Sequence, residues 1–242
     1  MCTVTFIPQG DSVFITHNRD EKSSRSKGIA PKEYIINGYT LLFPRDSAAG
    51  GSWIAINETG AAAVLLNGGF IKHQHQPPYR KSRGLAFLEI IATGDVLTSY
   101  HNTNLAGIEP FTIICWVNAV LYECRWDGQQ KHISQPDATI PHTWSSVTLY
   151  DEVIAAKRKN WFHQWLQKHR TPSMEDIIQF HLSAGDGDAH NDLRMNRDGK
   201  LLTVSITAIE INNSTSLMQY LDLQQHSRTV HAFNFTKAAV IQ

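Results

Sequence analysis

The order of strand-like and helix-like segments along the chain most strongly constrains its fold. β-rich runs separated by turns fill the first third of the sequence, helical patterns follow in pairs, and two long alternating runs come near the end. A doubly wound nucleotide-binding fold needs strands and helices in alternation, because crossover helices join its parallel strands. Grouped strands and grouped helices instead predict antiparallel sheets packed against helices, an α+β fold.

The strand-like segments share apolar or alternating patterns bounded by turn residues. They are residues 2–7, 13–17, 39–43, 52–57, 61–67, 111–117, 119–126, 201–211 and 215–223. Helical spacing predicts helices over residues 83–92, 95–100 and 151–169, and a fourth that begins after the N-cap Ser173 and ends near Ser183. In the longest helix, Val153, Ile154, Trp161, Trp165 and Leu166 are expected to form one apolar stripe.

Composition predicts a single folded domain over residues 1–242 and argues against nucleic-acid binding, disorder and a transmembrane helix. The chain has 22 basic and 22 acidic residues, so it lacks the excess of basic charge that is typical of nucleic-acid-binding domains. A hydrophobic content of 42% argues against disorder, and no stretch has the composition of a flexible linker. The longest apolar run is far shorter than the ~20 residues of a transmembrane helix.

Residues 1–4 lack the basic and apolar regions of a secretory signal, and three cysteines are too few for a disulfide framework. We therefore expect a soluble, cytoplasmic protein. No metal or other cofactor is expected, because His73 and His75 lack the further ligands of a zinc site. The loop over residues 186–192 likewise lacks the glycine and glutamate of a calcium loop. The sequence makes no prediction of an oligomeric state.

Cys2 is the first candidate for chemistry. Removal of Met1, which is favoured by a small second residue, would leave Cys2 with both a thiol and a free α-amine. The α-amine titrates at about 7.7 to 8.0 and a thiol at about 8.5, so the amine could accept the thiol proton near neutral pH. A retained Met1 would block this chemistry. The other interpretation is that Cys2 is simply a small residue at the start of an edge strand.

A polar run is the second candidate, and it comprises His17, Asn18, Arg19, Asp20 and Glu21. In a hairpin of the first two strands, this run emerges beside the N-terminus. A carboxylate there could hold an α-ammonium group, and a guanidinium could favour the thiolate of Cys2. A charged turn after a strand would show the same pattern.

Two glycine-containing segments form the third candidate, residues 50–53 and residues 65–69. Asn67 stands at a strand end and is followed by two glycines, so its amide or nearby backbone N–H groups could stabilise an oxyanion. Loss of one such donor typically lowers a rate by about 100-fold to 1,000-fold. An ordinary Asn-Gly turn is the alternative interpretation.

These elements together resemble a known family. Cys2, the run from Asn18 to Glu21, residues 50–57 and Asn67 have the order and spacing of the NRDE family, also called the transport and Golgi organisation protein 2 family. That family is similar to N-terminal nucleophile (Ntn) hydrolases of the choloylglycine hydrolase and penicillin V acylase type. The resemblance implies a four-layer αββα sandwich of antiparallel sheets. It also implies that Cys2 is the nucleophile, Asp20 the aspartate beside it and Asn67 the oxyanion-hole asparagine.

The sequence departs from the related patterns at three places. His17 stands where the acylases usually have an arginine. A Ser-Asn element of the NRDE pattern falls at Ser145 and Ser146, and a Thr-Arg-Ser element falls at residues 203–205, which read Thr-Val-Ser.

Two functions of different classes follow. The leading hypothesis is an Ntn-type cysteine amidohydrolase that cleaves a linear amide in a small-molecule substrate. Its catalytic residues would be Cys2, Arg19, Asp20 and Asn67, and its substrate-binding residues would be His17, Asn18, Glu21 and Trp53. The alternative is a non-catalytic carrier of an apolar ligand such as an acyl lipid or heme, because relatives are linked to lipid and heme handling and the three departures suit a site without catalysis. A scaffold whose pocket is filled by side chains is a third possibility.

Overall fold

The computed structural model describes residues 2–25 and 27–236, which form two antiparallel sheets and four helices. The strands are β1 (Cys2–Gln9), β2 (Ser12–Lys22), β3 (Gly28–Ile36), β4 (Tyr39–Asp46), β5 (Ile54–Asn57), β6 (Ala62–Asn67), β7 (Phe111–Val117), β8 (Val120–Trp126), β9 (Lys131–Ser134), β10 (His142–Ser145), β11 (Asn196–Arg197), β12 (Leu201–Ile211), β13 (Thr215–Asp222) and β14 (Ser227–Asn234). The helices are α1 (Arg83–Ile91), α2 (Val96–Asn102), α3 (Glu152–Lys168) and α4 (Met174–Ser183).

The first sheet places the N-terminal strand in its interior. Its strand order is β10-β1-β2-β12-β13-β14, and β11 adds to β12. In this register Cys2 lies opposite Arg19, and Arg19 lies opposite Ser205 on the next strand. The interpretation of Cys2 as the start of an edge strand is therefore wrong, because β1 has a hydrogen-bonded neighbour on each side. The second sheet has the order β3-β4-β5-β6-β7-β8-β9.

Three apolar clusters hold four layers together. One cluster joins α1 and α2 to the outer face of the second sheet. The next fills the space between the two sheets with residues such as Phe6 and Ile15 from one side and Ile54 and Val64 from the other. The third joins the outer face of the first sheet to α3 and α4. Each sheet thus buries both faces, and the predicted α+β fold with αββα layers is confirmed.

The strands that sequence analysis does not predict are β3, β9, β10, β11 and β14. Four of them are the outermost strands of the two sheets, and the two-residue β11 adds beside β12. An outermost strand is stabilised by a single neighbour and is commonly short or polar, so it lacks the apolar alternation that identifies an interior strand. The predicted second strand was also too short, since β2 continues from residue 17 through Lys22.

α3 buries most of the predicted apolar stripe, since Trp161, Trp165 and Leu166 pack against the third cluster. Val153 is exposed, whereas Phe162 and the guanidinium-bearing Arg158 are buried. Within the described residues, no helix is long and apolar enough to cross a membrane.

A buried polar network fixes α3 behind β1 and β2. Arg158 is only 1% exposed, and its guanidinium donates to the hydroxyl of Thr3 and to the backbone carbonyls of Asn191 and Asp192. The same guanidinium lies 3.6 Å from the ring centre of Tyr150, whose hydroxyl donates to Oδ2 of Asp20 at 2.7 Å. The buried positive charge of Arg158 is therefore balanced by the buried carboxylate of Asp20.

A second buried set anchors α4 to the same strands. Burial lowers the pKa of His181 to about 3, so the imidazole is neutral. The side-chain N–H group of Asn18 donates to the carbonyls of His181 and Leu193, which leaves Oδ1 of Asn18 to accept from Nδ1 of His181 at 2.7 Å. Nε2 of His181 then accepts from the hydroxyl of Thr5 at 2.8 Å.

Replacement of Arg158 tests this charge balance. We expect Arg158→Met to lower the free energy of unfolding by about 3 to 5 kcal/mol, because it leaves Asp20 as an uncompensated buried charge. The double variant Arg158→Met/Asp20→Asn should lose less than Arg158→Met alone, since both charges are gone. Urea denaturation of these proteins and of the exposed control Lys159→Met measures the effect. Equal stabilities of Arg158→Met and Lys159→Met would contradict the assignment.

Candidate functional site

The pleat of β2 divides the polar run into two groups. Side chains alternate between the two faces of a strand, so residues 17, 19 and 21 point between the sheets and residues 18 and 20 point toward the helices. All four residues from His17 to Asp20 are buried. The run therefore lies inside a central strand and is not a charged turn.

A cavity of about 190 Å³ opens at the end of the sandwich where Cys2 lies. Its lining combines the ends of β1, β2, β4 and β6 with the first turn of α1. Five of the predicted site residues line it: Cys2, Arg19, Glu21, Trp53 and Asn67. Its other charged residues are Arg25, Asp46, Arg83 and Glu109. Three arginines thus face three carboxylates around the thiol.

The thiol of Cys2 is almost completely buried, at 3% exposure. Burial raises its pKa, and the negative charge of Asp20 adds to that rise. The positive charge of Arg19 acts in the opposite direction, as the sequence predicts, but burial outweighs it. The thiol is consequently protonated at neutral pH, and attack on a substrate requires a base.

Arg19 is held rigidly at the cavity wall. Its Nη2 lies 2.9 Å from Oδ2 of Asp46, and its guanidinium stacks 4.2 Å above the ring centre of Trp53. Asp46 also accepts from Nε of Arg25 at 2.9 Å and from two backbone N–H groups of the following turn. Burial alone would raise the pKa of Asp46, but these hydrogen bonds and positive charges outweigh burial, so the pKa is lowered. Asp46 is therefore an ionised partner for both arginines.

Three of the predicted site residues do not line the cavity. His17 is fully buried between the sheets, and Asn18 binds His181 on the helix side of the first sheet. Neither residue lines the cavity, since His17 lies two positions before Arg19 on β2 and Asn18 faces the helix layer. Their role in substrate binding stays a prediction. Asp20 also lies on the helix side, where it accepts from Tyr150 and from the hydroxyl of Thr203 at 2.6 Å.

Asn67 reaches the cavity from the end of β6. The following Gly68 has a φ of +88°, and a Cβ there would lie 2.5 Å from Cγ2 of Val147, so both the turn and the packing require glycine. The hydroxyl of Ser146 donates to the carbonyl of Asn67 at 2.8 Å, and the N–H of Ser146 donates to the carbonyl of Cys2 at 2.9 Å. Ser146 thus joins the strand that carries the thiol to the strand that carries Asn67.

In the sequence, Ser146 stands out only as a departure from a family pattern. Its bridging role could not be seen in the sequence, because Cys2, Asn67 and Ser146 meet only after the two sheets pack together. The position of a serine at the Ser-Asn element was the available signal.

Arg83 is the second residue that sequence analysis missed. It is the first residue of α1, after the N-cap Ser82, and α1 approaches the cavity through a contact between two glycines. A Cβ on Gly51 would lie 2.5 Å from the carbonyl carbon of Gly84, so the loop can meet the helix only if position 51 lacks a side chain. Nη2 of Arg83 lies 3.1 Å from Oε2 of Glu109.

The two histidines of the loop before α1 also bind Glu109. Oε1 of Glu109 lies 3.4 Å from Nε2 of His73 and 3.0 Å from Nδ1 of His75. Among the residues that the structure describes, no group of three or more His, Cys, Asp or Glu side chains is arranged to hold a metal ion.

Comparison with solved structures finds the same fold in two hydrolases. A mutant of conjugated bile acid hydrolase from Clostridium perfringens has a TM-score of 0.55 and 10% sequence identity, with 100% of this chain and 99% of that chain covered. A second variant of that enzyme has a TM-score of 0.56 and 11% identity, with the same coverage. The Caenorhabditis elegans ortholog of N-acylethanolamine-hydrolyzing acid amidase has a TM-score of 0.56 and 12% identity, over 86% of this chain and 92% of that chain.

At these identities, the similarity concerns the fold alone. A search among curated proteins finds no match to the sequence. The model of the family described as Transport and Golgi organisation 2 matches residues 1–219, well beyond the first 70 residues that carry the recognisable motifs. Because this match covers most of its length, the chain belongs to the Transport and Golgi organisation 2 family.

Proposed function

We propose that the cavity is the active site of a cysteine amidohydrolase that cleaves a linear amide bond, with Cys2 as its nucleophile. The observation that carries the proposal is that the Cys2 thiol and Asn67 line one cavity and are joined through Ser146. A nucleophile and an oxyanion donor must be held in a fixed relation for acyl transfer, and here both are on β-strands of packed sheets.

The reaction begins after Met1 is removed and the α-amine of Cys2 is free. The amine takes the thiol proton, and the thiolate attacks the amide carbon to form a tetrahedral intermediate. The side-chain amide of Asn67 donates to its oxyanion. The C–N bond then breaks, the ammonium group gives its proton to the leaving amine, and a thioester remains on Cys2. Water attacks the thioester with the α-amine as base, which releases the acid and restores the thiol.

Asp20 acts as a positioning residue in this proposal. It does not line the cavity, and its carboxylate is held by Tyr150 and Thr203 beside the buried charge of Arg158. Through this network Asp20 fixes β2 against α3, and Arg158 fixes the neighbouring Thr3 of β1. The strand end that carries Cys2 is thereby held in place from the helix side of the first sheet.

The size and charge of the cavity favour a small, polar substrate. A space of about 190 Å³ bordered by six charged side chains suits an amide with polar groups better than a heme or a long acyl chain. The amidase and hydrolase names of proteins with the same fold support amide hydrolysis as the reaction class.

A covalent acyl intermediate on Cys2 is the first expected outcome. Protein that begins with Cys2 is incubated with a panel of short N-acyl 4-nitroanilides, quenched in acid and analysed by intact-mass and peptide mass spectrometry. We expect an acyl adduct on Cys2, release of nitroaniline, and loss of both in Cys2→Ala. Cys115→Ala serves as the matched control, since that thiol is buried on the other side of the second sheet. An adduct that persists in Cys2→Ala, or none with any amide, would refute the proposal.

Ser146→Ala tests the link between the two strands. Loss of its hydroxyl releases the Asn67 carbonyl, and a small displacement of an oxyanion donor should lower kcat about tenfold with little change in KM. The adjacent Ser145→Ala is the control, because it leaves that hydrogen bond in place. Equal kcat values for the two variants would show that Ser146 does not position Asn67.

The raised pKa of Cys2 predicts how the chain behaves when Met1 is retained. Without a free α-amine on Cys2, alkylation of its thiol by iodoacetamide should rise with pH and reach its midpoint above the ordinary thiol value of about 8.5. Arg19→Met should move the midpoint further upward, because it removes a charge that favours the thiolate. Lys22→Met, at an exposed position, should not. A midpoint at or below the ordinary value would contradict the effect of burial.

A further inference from the structure

We propose that the α1 end of the cavity is a subsite for a carboxylate group, so that the substrates are small amides bearing an anionic group. This inference deepens the proposed amidohydrolase function and rests on it. The subsite consists of Arg83 and the N-terminus of α1, and Trp53 lines the same cavity.

Arg83 has hydrogen-bonding capacity to spare. Its side chain is 18% exposed, and the described residues engage it through Nη2 with Glu109 at 3.1 Å and through a longer contact of Nη1 with the Pro110 carbonyl at 3.5 Å. A guanidinium carries five N–H donors in a planar fork that matches the geometry of a carboxylate. A ligand carboxylate can therefore bind Arg83 without displacing Glu109.

Glu109 balances the charge of Arg83 but does not use all of its N–H donors. Its carboxylate is shared among Arg83, His73 and His75, with both histidines on Oε1 and the arginine on Oε2. Elsewhere in the lining, Arg19 and Arg25 share the carboxylates of Asp46 and Glu21. Charges are therefore matched at both places, and the α1 end differs in the unused N–H donors of Arg83.

The N-terminus of α1 adds positive potential at the same place. The backbone N–H groups of a first helical turn and the helix dipole favour an anion there. The close contact between Gly51 and Gly84 brings this helix end to the cavity wall, where Ser82, Arg83 and Gly84 all form part of the lining.

Trp53 supplies an independent indication of a ligand. It lines the same cavity and is only 6% exposed, yet its indole N–H has no hydrogen-bond partner among the described residues. Buried N–H groups in proteins are nearly always paired, and a Trp N–H can only donate. An acceptor such as a carboxylate oxygen would satisfy it.

The position of Arg83 relative to the thiol sets the size of the substrate. Arg83 and Cys2 line one cavity of about 190 Å³. A carboxylate bound at Arg83 would therefore place an amide carbonyl only a few bonds away at Cys2. Short N-acyl amino acids and other small amido acids have this geometry.

Selective alkylation of Cys2 tests the subsite without a known substrate. Iodoacetate and iodoacetamide are similar in size and react with thiolate by the same displacement of iodide, but only iodoacetate is anionic. Rates at Cys2 are measured by peptide mass spectrometry, and their ratio is divided by the ratio for a cysteine-containing peptide. A change in the pKa of Cys2 alters both alkylation rates by the same factor, so the change cancels in their ratio.

We expect the iodoacetate preference to fall about tenfold in Arg83→Gln, because a nearby positive charge is removed. Arg83→Lys should keep most of the preference. Lys81→Gln is the matched control, since it removes a positive charge two residues away that does not line the cavity. In the wild-type protein, propionate should slow alkylation by iodoacetamide and propionamide should not, which provides a readout that does not depend on the folding of any variant.

The outcomes separate the subsite from the proposed function. An unchanged ratio in folded Arg83→Gln, or equal effects of propionate and propionamide, would overturn the carboxylate subsite and leave the hydrolase proposal standing. A reduced ratio together with no acyl adduct on Cys2 would support the subsite and refute hydrolysis. Failure of both reagents to label Cys2 in the folded protein would overturn both, since small molecules would not reach the thiol.

Discussion

The pairing of β1 with β2 in the centre of the first sheet is the constraint on which the site depends. It sets Cys2 opposite Arg19, and strand alternation then directs successive side chains of β2 to opposite faces of the sheet. One side presents Arg19 and Glu21 to the cavity, and the other directs Asn18 and Asp20 into the helix layer. A shift of one residue in this register would exchange the two sets and place buried hydrogen-bonding groups against apolar side chains.

The polar network behind the sheet explains how a charged motif can be buried. Arg158 and Asp20 balance each other across Tyr150, and the neutral imidazole of His181 joins Asn18 to Thr5. Satisfied buried networks rigidify a structure, whereas a single missing partner leaves a costly unpaired group. The strand ends that carry the thiol are consequently held by the helix layer as well as by their own sheet.

The charged side chains around the thiol balance one another within the cavity itself. The chain has no net charge, and the cavity repeats that balance with three arginines and three carboxylates. What distinguishes Arg83 from the other two arginines is that several of its N–H donors are unused. Asp46 is surrounded by donors, whereas Arg83 lies at a helix N-terminus with unused N–H groups. Local geometry, and not net charge, thus determines which ligand chemistry the cavity favours.

The sequence by itself determined the α+β class, the interior strands and the four helices, because each of these depends on local periodicity. A recognisable motif also singled out Cys2, Arg19 and Asn67, which line one cavity. The sequence did not determine the outermost strands, whose polar sequences are held by a single neighbour. Nor could it separate Asp20 from Arg19, since the strand-like pattern ends at residue 17 and does not show that both residues lie within β2. Only the tertiary structure showed that Ser146, Arg83 and Arg158 belong to the site or support it. They reach it through contacts between sheets and helices that are distant along the chain.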